Sequence, residues 1–138
     1  MLDVEAVSAL AKGQSIASGD VRAAMEAARR LDRDVVVPSV ILAELYRGRN
    51  HNQVVDSLLS RETGVMLRDT DRPFARLVGG VLGAVGADSA LLADSALLAD
   101  AHCAAAAVES GGGVILTSDS GDMERLAANY PNIHIGQI

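Results

Sequence analysis

Short β-branched runs alternate with longer Ala-, Leu- and Arg-rich segments along the whole chain, and this alternation constrains the fold most. A strand that returns parallel to its neighbour needs a crossover, usually a helix, so the pattern predicts an α/β domain with a mostly parallel central sheet. The runs are Leu2-Asp3-Val4, Asp34-Val35-Val36-Val37, Gly64-Val65-Met66-Leu67, Gly113-Val114-Ile115-Leu116-Thr117 and Asn132-Ile133-His134-Ile135, which makes about five strands. Helix-like stretches lie between them at about 6–12, 19–32, 39–47, 51–62, 71–85, 97–110 and 121–129. Ser18, Gly48, Gly64 and Gly111-Gly112-Gly113 are expected at caps and turns, and Pro38 in the first turn of a helix.

Asp88-Ser-Ala-Leu-Leu-Ala is followed at once by its copy from Asp94, ending at Asp100. Two copies are too few for a solenoid, so the repeat reads as a local insertion that lengthens one helix or its lead-in. With 138 residues and no linker, the chain reads as one domain spanning 1–138. Hydrophobic residues make up 49% of it, but Phe, Tyr and Trp number one, two and none. Small apolar side chains suit helices packed closely on a sheet.

The net charge of −6 and the scarcity of lysine, with Lys12 alone among eleven arginines, exclude a general polyanion binder. Cys103 is the single cysteine, which excludes an internal disulfide framework and a multi-cysteine zinc site. No apolar run approaches the about 20 residues of a membrane span, and a cytoplasmic location is expected.

Reactive groups in an open α/β sheet gather where the strands end and the loops meet helix N-termini. Asp3 ends the first strand, Asp119 follows Gly113–Thr117, and Asp100 is expected to open the helix that feeds that strand. Glu44 lies on the helix after the second strand, in Val40-Ile41-Leu42-Ala43-Glu44-Leu45, where it is the one charged residue. Stripping solvent from a carboxylate is expensive, so a carboxylate in such surroundings needs a partner. Each acid also has an ordinary reading: Glu44 paired with Arg47, Asp119 or Asp122 capping the last helix, Asp100 in a first turn, Asp3 solvated.

Convergence of the acids on one edge changes those odds. Two unit charges about 4 Å apart repel by about 4 kcal/mol at an effective dielectric of ~20, so several carboxylates together require protons or cations. An all-oxygen donor set suits Mg²⁺ or Mn²⁺, and the absence of a Cys/His cluster argues against structural zinc. His102 and His134 read as packing or surface residues. Bound cations would also let an acidic protein engage a phosphodiester.

Four motifs in order resemble the PIN-domain ribonucleases, in particular the VapC-type toxins of bacterial toxin–antitoxin pairs. They are Leu2-Asp3, then Pro38-Ser-Val-Ile-Leu-Ala-Glu44-Leu-Tyr-Arg-Gly, then Asp100-Ala-His-Cys-Ala-Ala-Ala, and Leu116-Thr-Ser-Asp119-Ser-Gly-Asp122-Met-Glu-Arg-Leu. The resemblance spans nearly the whole chain. It implies a three-layer α/β/α fold and Mg²⁺- or Mn²⁺-dependent cleavage of RNA, with Asp3, Glu44, Asp100 and Asp119 as catalytic acids. It implies a metal held by Asp3, Asp100, Asp119 and Asp122, a homodimer, and silencing by a small VapB-type antitoxin. Where the family usually has a small or hydroxyl residue two positions after the first Asp, this chain has Glu5.

Glu5, Thr117 and Ser118 are supporting candidates, and Asp94 rivals Asp100. Arg47, Arg49, Arg68, Arg72 and Arg76 are candidates for phosphate or antitoxin contacts. Two other roles remain open, a housekeeping RNA-processing nuclease and a degenerate PIN domain acting as an interaction module. Receiver or haloacid-dehalogenase-like domains also place Asp at strand ends, but they need a lysine near the acids, and Lys12 falls early on a helix.

Overall fold

The computed structural model describes residues 1–86 and 95–138. Its elements run α1 (Val4–Lys12), α2 (Ile16–Arg30), β1 (Val35–Pro38), α3 (Ser39–Leu45), α4 (Arg49–Arg61), β2 (Val65–Arg68), α5 (Arg72–Ala84), α6 (Ser95–Glu109), β3 (Gly113–Thr117), α7 (Ser120–Ala127) and β4 (Ile133–Gln137). The α/β alternation is as expected, but the central sheet of about five strands is not. β1 pairs in parallel with β2 and β3 with β4, which makes two sheets of two strands each among the described residues.

The expected first strand over 2–4 shrinks to one residue, because Val4 already belongs to α1. Leu2 forms an isolated parallel bridge to Leu116 through Leu116 N–H to the Met1 carbonyl (3.0 Å) and Asp3 N–H to the Leu116 carbonyl (3.4 Å). On its other side Leu2 N–H donates to the Val36 carbonyl at 3.0 Å. A parallel bridge there needs a second bond, from the N–H of residue 38 back to the Leu2 carbonyl. Residue 38 is proline and has none. The N-terminal segment therefore lies between the two sheets, fully bridged to one and half bonded to the other.

Pro38 itself is the last residue of β1 and the N-cap of α3, not a first-turn residue. Its restricted φ is also that of an extended strand end. The helix expected from residue 19 starts at Ile16, because Ser15 caps it by accepting Ser18 N–H; Ser18 is no cap but lies buried on the helix face of Val21 and Met25. Gly48 (φ 112°) does stand at the N-cap of α4, in a conformation side chains avoid. Asp88 and Asp94 of the duplication lie outside the described residues.

α6 packs against β1, β3, α3, α5 and α7, and a helix covered on so many sides needs small side chains. Cys103 to Ala107 are buried without a break, as are Ala99 and Ala101. This is the structural use of the alanine-rich composition. The core is completed by Phe74, Ile41, Ile115, Met123 and Leu126 from the surrounding elements. Among the described residues, no helix is long and apolar enough to cross a membrane.

Candidate active site

Asp3 leaves the Leu2 bridge and immediately caps α1, its Oδ1 accepting Ala6 N–H at 2.7 Å. The residue is 1% exposed, and its Oδ2 is a buried oxygen with no hydrogen-bond donor. Burial is the main reason its pKa rises to about 7, followed by the carboxyl of Glu5 at hydrogen-bonding reach; the Thr117 hydroxyl and the Ala6 amide oppose the rise.

Asp100 is half-buried inside α6 and does not open it, because Ser95 to Ala99 before it are already helical. Its pKa is also pushed up to about 7, first by burial and then by the charges of Glu5, Asp122, Asp119 and Glu44 in that order. That list shows which acids share its surroundings. Glu44 belongs to it, but it is only half-buried and Ala43 beside it is exposed, so its helix is less enclosing than the apolar run predicts. Glu5, exposed in the first turn of α1, exerts the largest of these fields.

Asp119 follows β3 and caps α7 by accepting Gly121 N–H at 3.3 Å. The ordinary role and the site position coincide in this residue. Buried Thr117 accepts Asp119 N–H at 3.0 Å as well as donating to its carbonyl, so one hydroxyl grips both ends of the residue. Ser118 is exposed. Asp122 lies in the first turn of α7, where Arg125 pairs with it at 2.9 Å. Sequence reading missed Arg125, although its three-residue spacing from Asp122 on a helix is a signal for such a pair.

The fold thus sets Asp100 in the negative field of Glu5, Glu44, Asp119 and Asp122, while Glu5 alone of these acids acts on Asp3 as well. Among the described residues, no three His, Cys, Asp or Glu side chains close on a common point as ligands of one ion. The Cys103 thiol is buried behind the site, and burial followed by the Asp3 charge pushes its pKa well up.

The arginines divide into two groups. Arg68 forms a fork with Glu109 (2.7 and 2.8 Å), pairs with Asp71 (3.2 Å) and covers the Phe74 ring at 4.3 Å. It is a structural tie, not a free phosphate ligand. Arg47, Arg49, Arg72 and Arg76 are exposed and make no ion pair among the described residues. His102 is buried edge-on to Phe74 with Nδ1 2.8 Å from the Leu98 carbonyl, and His134 is exposed on β4.

The family model of the PIN domain matches residues 1–129. This chain is a PIN domain. The PIN domain superposes with a TM-score of 0.66 on a chain of the crystal structure of VapBC2 from Rickettsia felis bound to a DNA fragment from their promoter; the match covers 99% of this chain and 96% of that one at 15% identity. At that identity the likeness speaks for the fold. No curated protein matches significantly. The family match gives the acid-lined edge a chemical context that its geometry alone does not.

Proposed function

We propose that this PIN domain is a VapC-type toxin, an endoribonuclease that hydrolyses RNA phosphodiester bonds with Mg²⁺ or Mn²⁺. The observation that carries the proposal is Asp3: a buried carboxylate oxygen without a donor, under the charge of Glu5, which also acts on a second half-buried acid, Asp100. A bare carboxylate cluster is unfavourable, and a hard cation satisfies both the orphan oxygen and the accumulated charge. The all-oxygen donor set fits such an ion.

Asp3, Asp100, Asp119 and Asp122 would hold it. When bound, the ion supplies Lewis-acid polarisation of the scissile phosphate and an acidified water. The chain's own residues do the rest. Asp3 and Asp100 give up the protons they hold near neutral pH as the cation loads. Thr117 fixes the Asp119 backbone, and Arg125 restrains Asp122. Glu44 adds a carboxylate at the rim of the cluster, where it can orient water. Exposed Arg47, Arg49, Arg72 and Arg76 are free to meet backbone phosphates.

The fold neighbour is a chain of VapBC2 bound to promoter DNA, which supports a small VapB-type antitoxin as the partner of this chain; a homodimeric assembly and a cytoplasmic location complete the proposal. The test is RNA cleavage by the purified protein with Mg²⁺ or Mn²⁺. Asp3→Asn and Asp100→Asn are expected to abolish it with the fold intact, and undiminished cleavage by both contradicts the proposal. A non-catalytic interaction module is the second reading, favoured by the absence, among the described residues, of three acids closed on one point. Calorimetry without any uptake of Mn²⁺ decides for it.

A further inference from the structure

Pro38 leaves the Leu2 carbonyl without the N–H that a parallel ladder would bring to it from position 38. The structure fills that position from elsewhere: the Cys103 thiol donates to the Leu2 carbonyl at 3.8 Å. Cys103 is fully buried and follows Asp100 by three residues on α6, so thiol and carboxylate share a helix face. Leu2 directly precedes Asp3. The same side chain therefore touches the peptide that carries one acid and stands on the helix that carries the other.

We infer that Cys103 is a positioning residue, whose thiol closes the ladder position opened by Pro38 and so sets Asp3 and Asp100 at their mutual spacing. It touches neither substrate nor ion. The neighbouring buried positions Ala101 and Ala104 to Ala107 are filled by alanine, so packing alone does not require sulfur at 103. The thiol is a weak donor, but it is the only side chain donating to that carbonyl among the described residues. The inference rests on the nuclease reading for its consequence, not for its geometry.

The test is a cycle of Cys103→Ala, Pro38→Ala and the double variant, with Cys103→Ser as the conservative control. The readouts are Mn²⁺ affinity by calorimetry and hydrogen exchange of the Asp3 amide relative to that of Val37. Cys103→Ala is expected to lower Mn²⁺ affinity roughly tenfold, as loss of a ligand-orienting partner does, and to speed exchange at Asp3. Cys103→Ser restores most of both. In the Pro38→Ala background, where residue 38 regains an N–H, Cys103→Ala has little effect.

Equal losses in both backgrounds, or no change in either readout, overturn the inference. If the wild type takes up no Mn²⁺, the nuclease reading fails while exchange at Asp3 still decides on Cys103. Should Cys103→Ala not fold alone, recovery of folding in the double variant supports the inference and failure in both overturns it.

Discussion

The main-chain N–H of Asp3 donates to the carbonyl of Leu116 at 3.4 Å, and this bond sets the first acid of the chain beside the end of β3. Thr117 follows Leu116 and Asp119 follows two residues later, so acids far apart in sequence issue from neighbouring backbone. The charge of Asp119 then acts on Asp100, and Glu5, two residues after Asp3, acts on both Asp3 and Asp100.

Asp3 carries two functions that substitution separates. Asparagine retains a side-chain oxygen for the Ala6 N–H and remains a good N-cap, but it removes the buried charge. Asp3→Asn is therefore expected to match or exceed the wild type in metal-free melting temperature at pH 8 while losing Mn²⁺ uptake. Asp3→Ala also loses the cap, at a cost of about 1 kcal/mol. Thermal unfolding of the two variants with and without Mn²⁺ distinguishes cap from charge.

Stability of the metal-free protein should fall as pH rises. Asp3 and Asp100 have pKa values of about 7 in the fold against an ordinary 3.8, so between those limits the folded state binds more protons than the unfolded chain. The slope of unfolding free energy with pH is then negative. Their contribution is fully present below pH 3.8 and lost as pH passes 7. Melting temperatures should decline from pH 5 to pH 8, and Mn²⁺ should raise them more at pH 8 than at pH 5. Scanning calorimetry across that range, with Asp100→Asn flattening the profile, checks the sign.

Much of this was legible in the sequence and some was not, for identifiable reasons. The periodicity gives the order of most strands and helices, and Glu44 and Asp119, singled out by their positions in the sequence, do act on Asp100. Sequence reading places Pro38 by its fixed φ; its missing N–H, which divides the sheet, shows only once Val36 is known to face Leu2. Arg68 resembles any exposed arginine until folding brings Glu109 and Phe74 to it.

Thr117 should matter through Asp119 and not through stability alone. Thr117→Val keeps the shape but strips the hydroxyl that grips the Asp119 amide and carbonyl. A drop in RNA cleavage of roughly tenfold is expected, with Thr117→Ser close to the wild type. Single-turnover cleavage at saturating Mn²⁺ measures it.

Arg68 should behave in the opposite way. Arg68→Ala removes the tie among Glu109, Asp71 and Phe74, so the melting temperature should fall by a few degrees while cleavage at a temperature well below melting stays at the wild-type level. Arg72→Ala and Arg76→Ala, which break no ion pair, should leave melting unchanged and weaken RNA binding. Paired melting and RNA-affinity measurements on the three variants separate the groups.

Replacement of protons by cations at Asp3 and Asp100 is tested most directly by calorimetric titration with Mn²⁺ at pH 6 in two buffers of different ionisation enthalpy. The expected result is tight uptake with a buffer-dependent heat that reports proton release, reduced in Asp100→Asn. Absence of Mn²⁺ uptake by the wild type, or uptake with the same heat in both buffers and no change in Asp100→Asn, would contradict it.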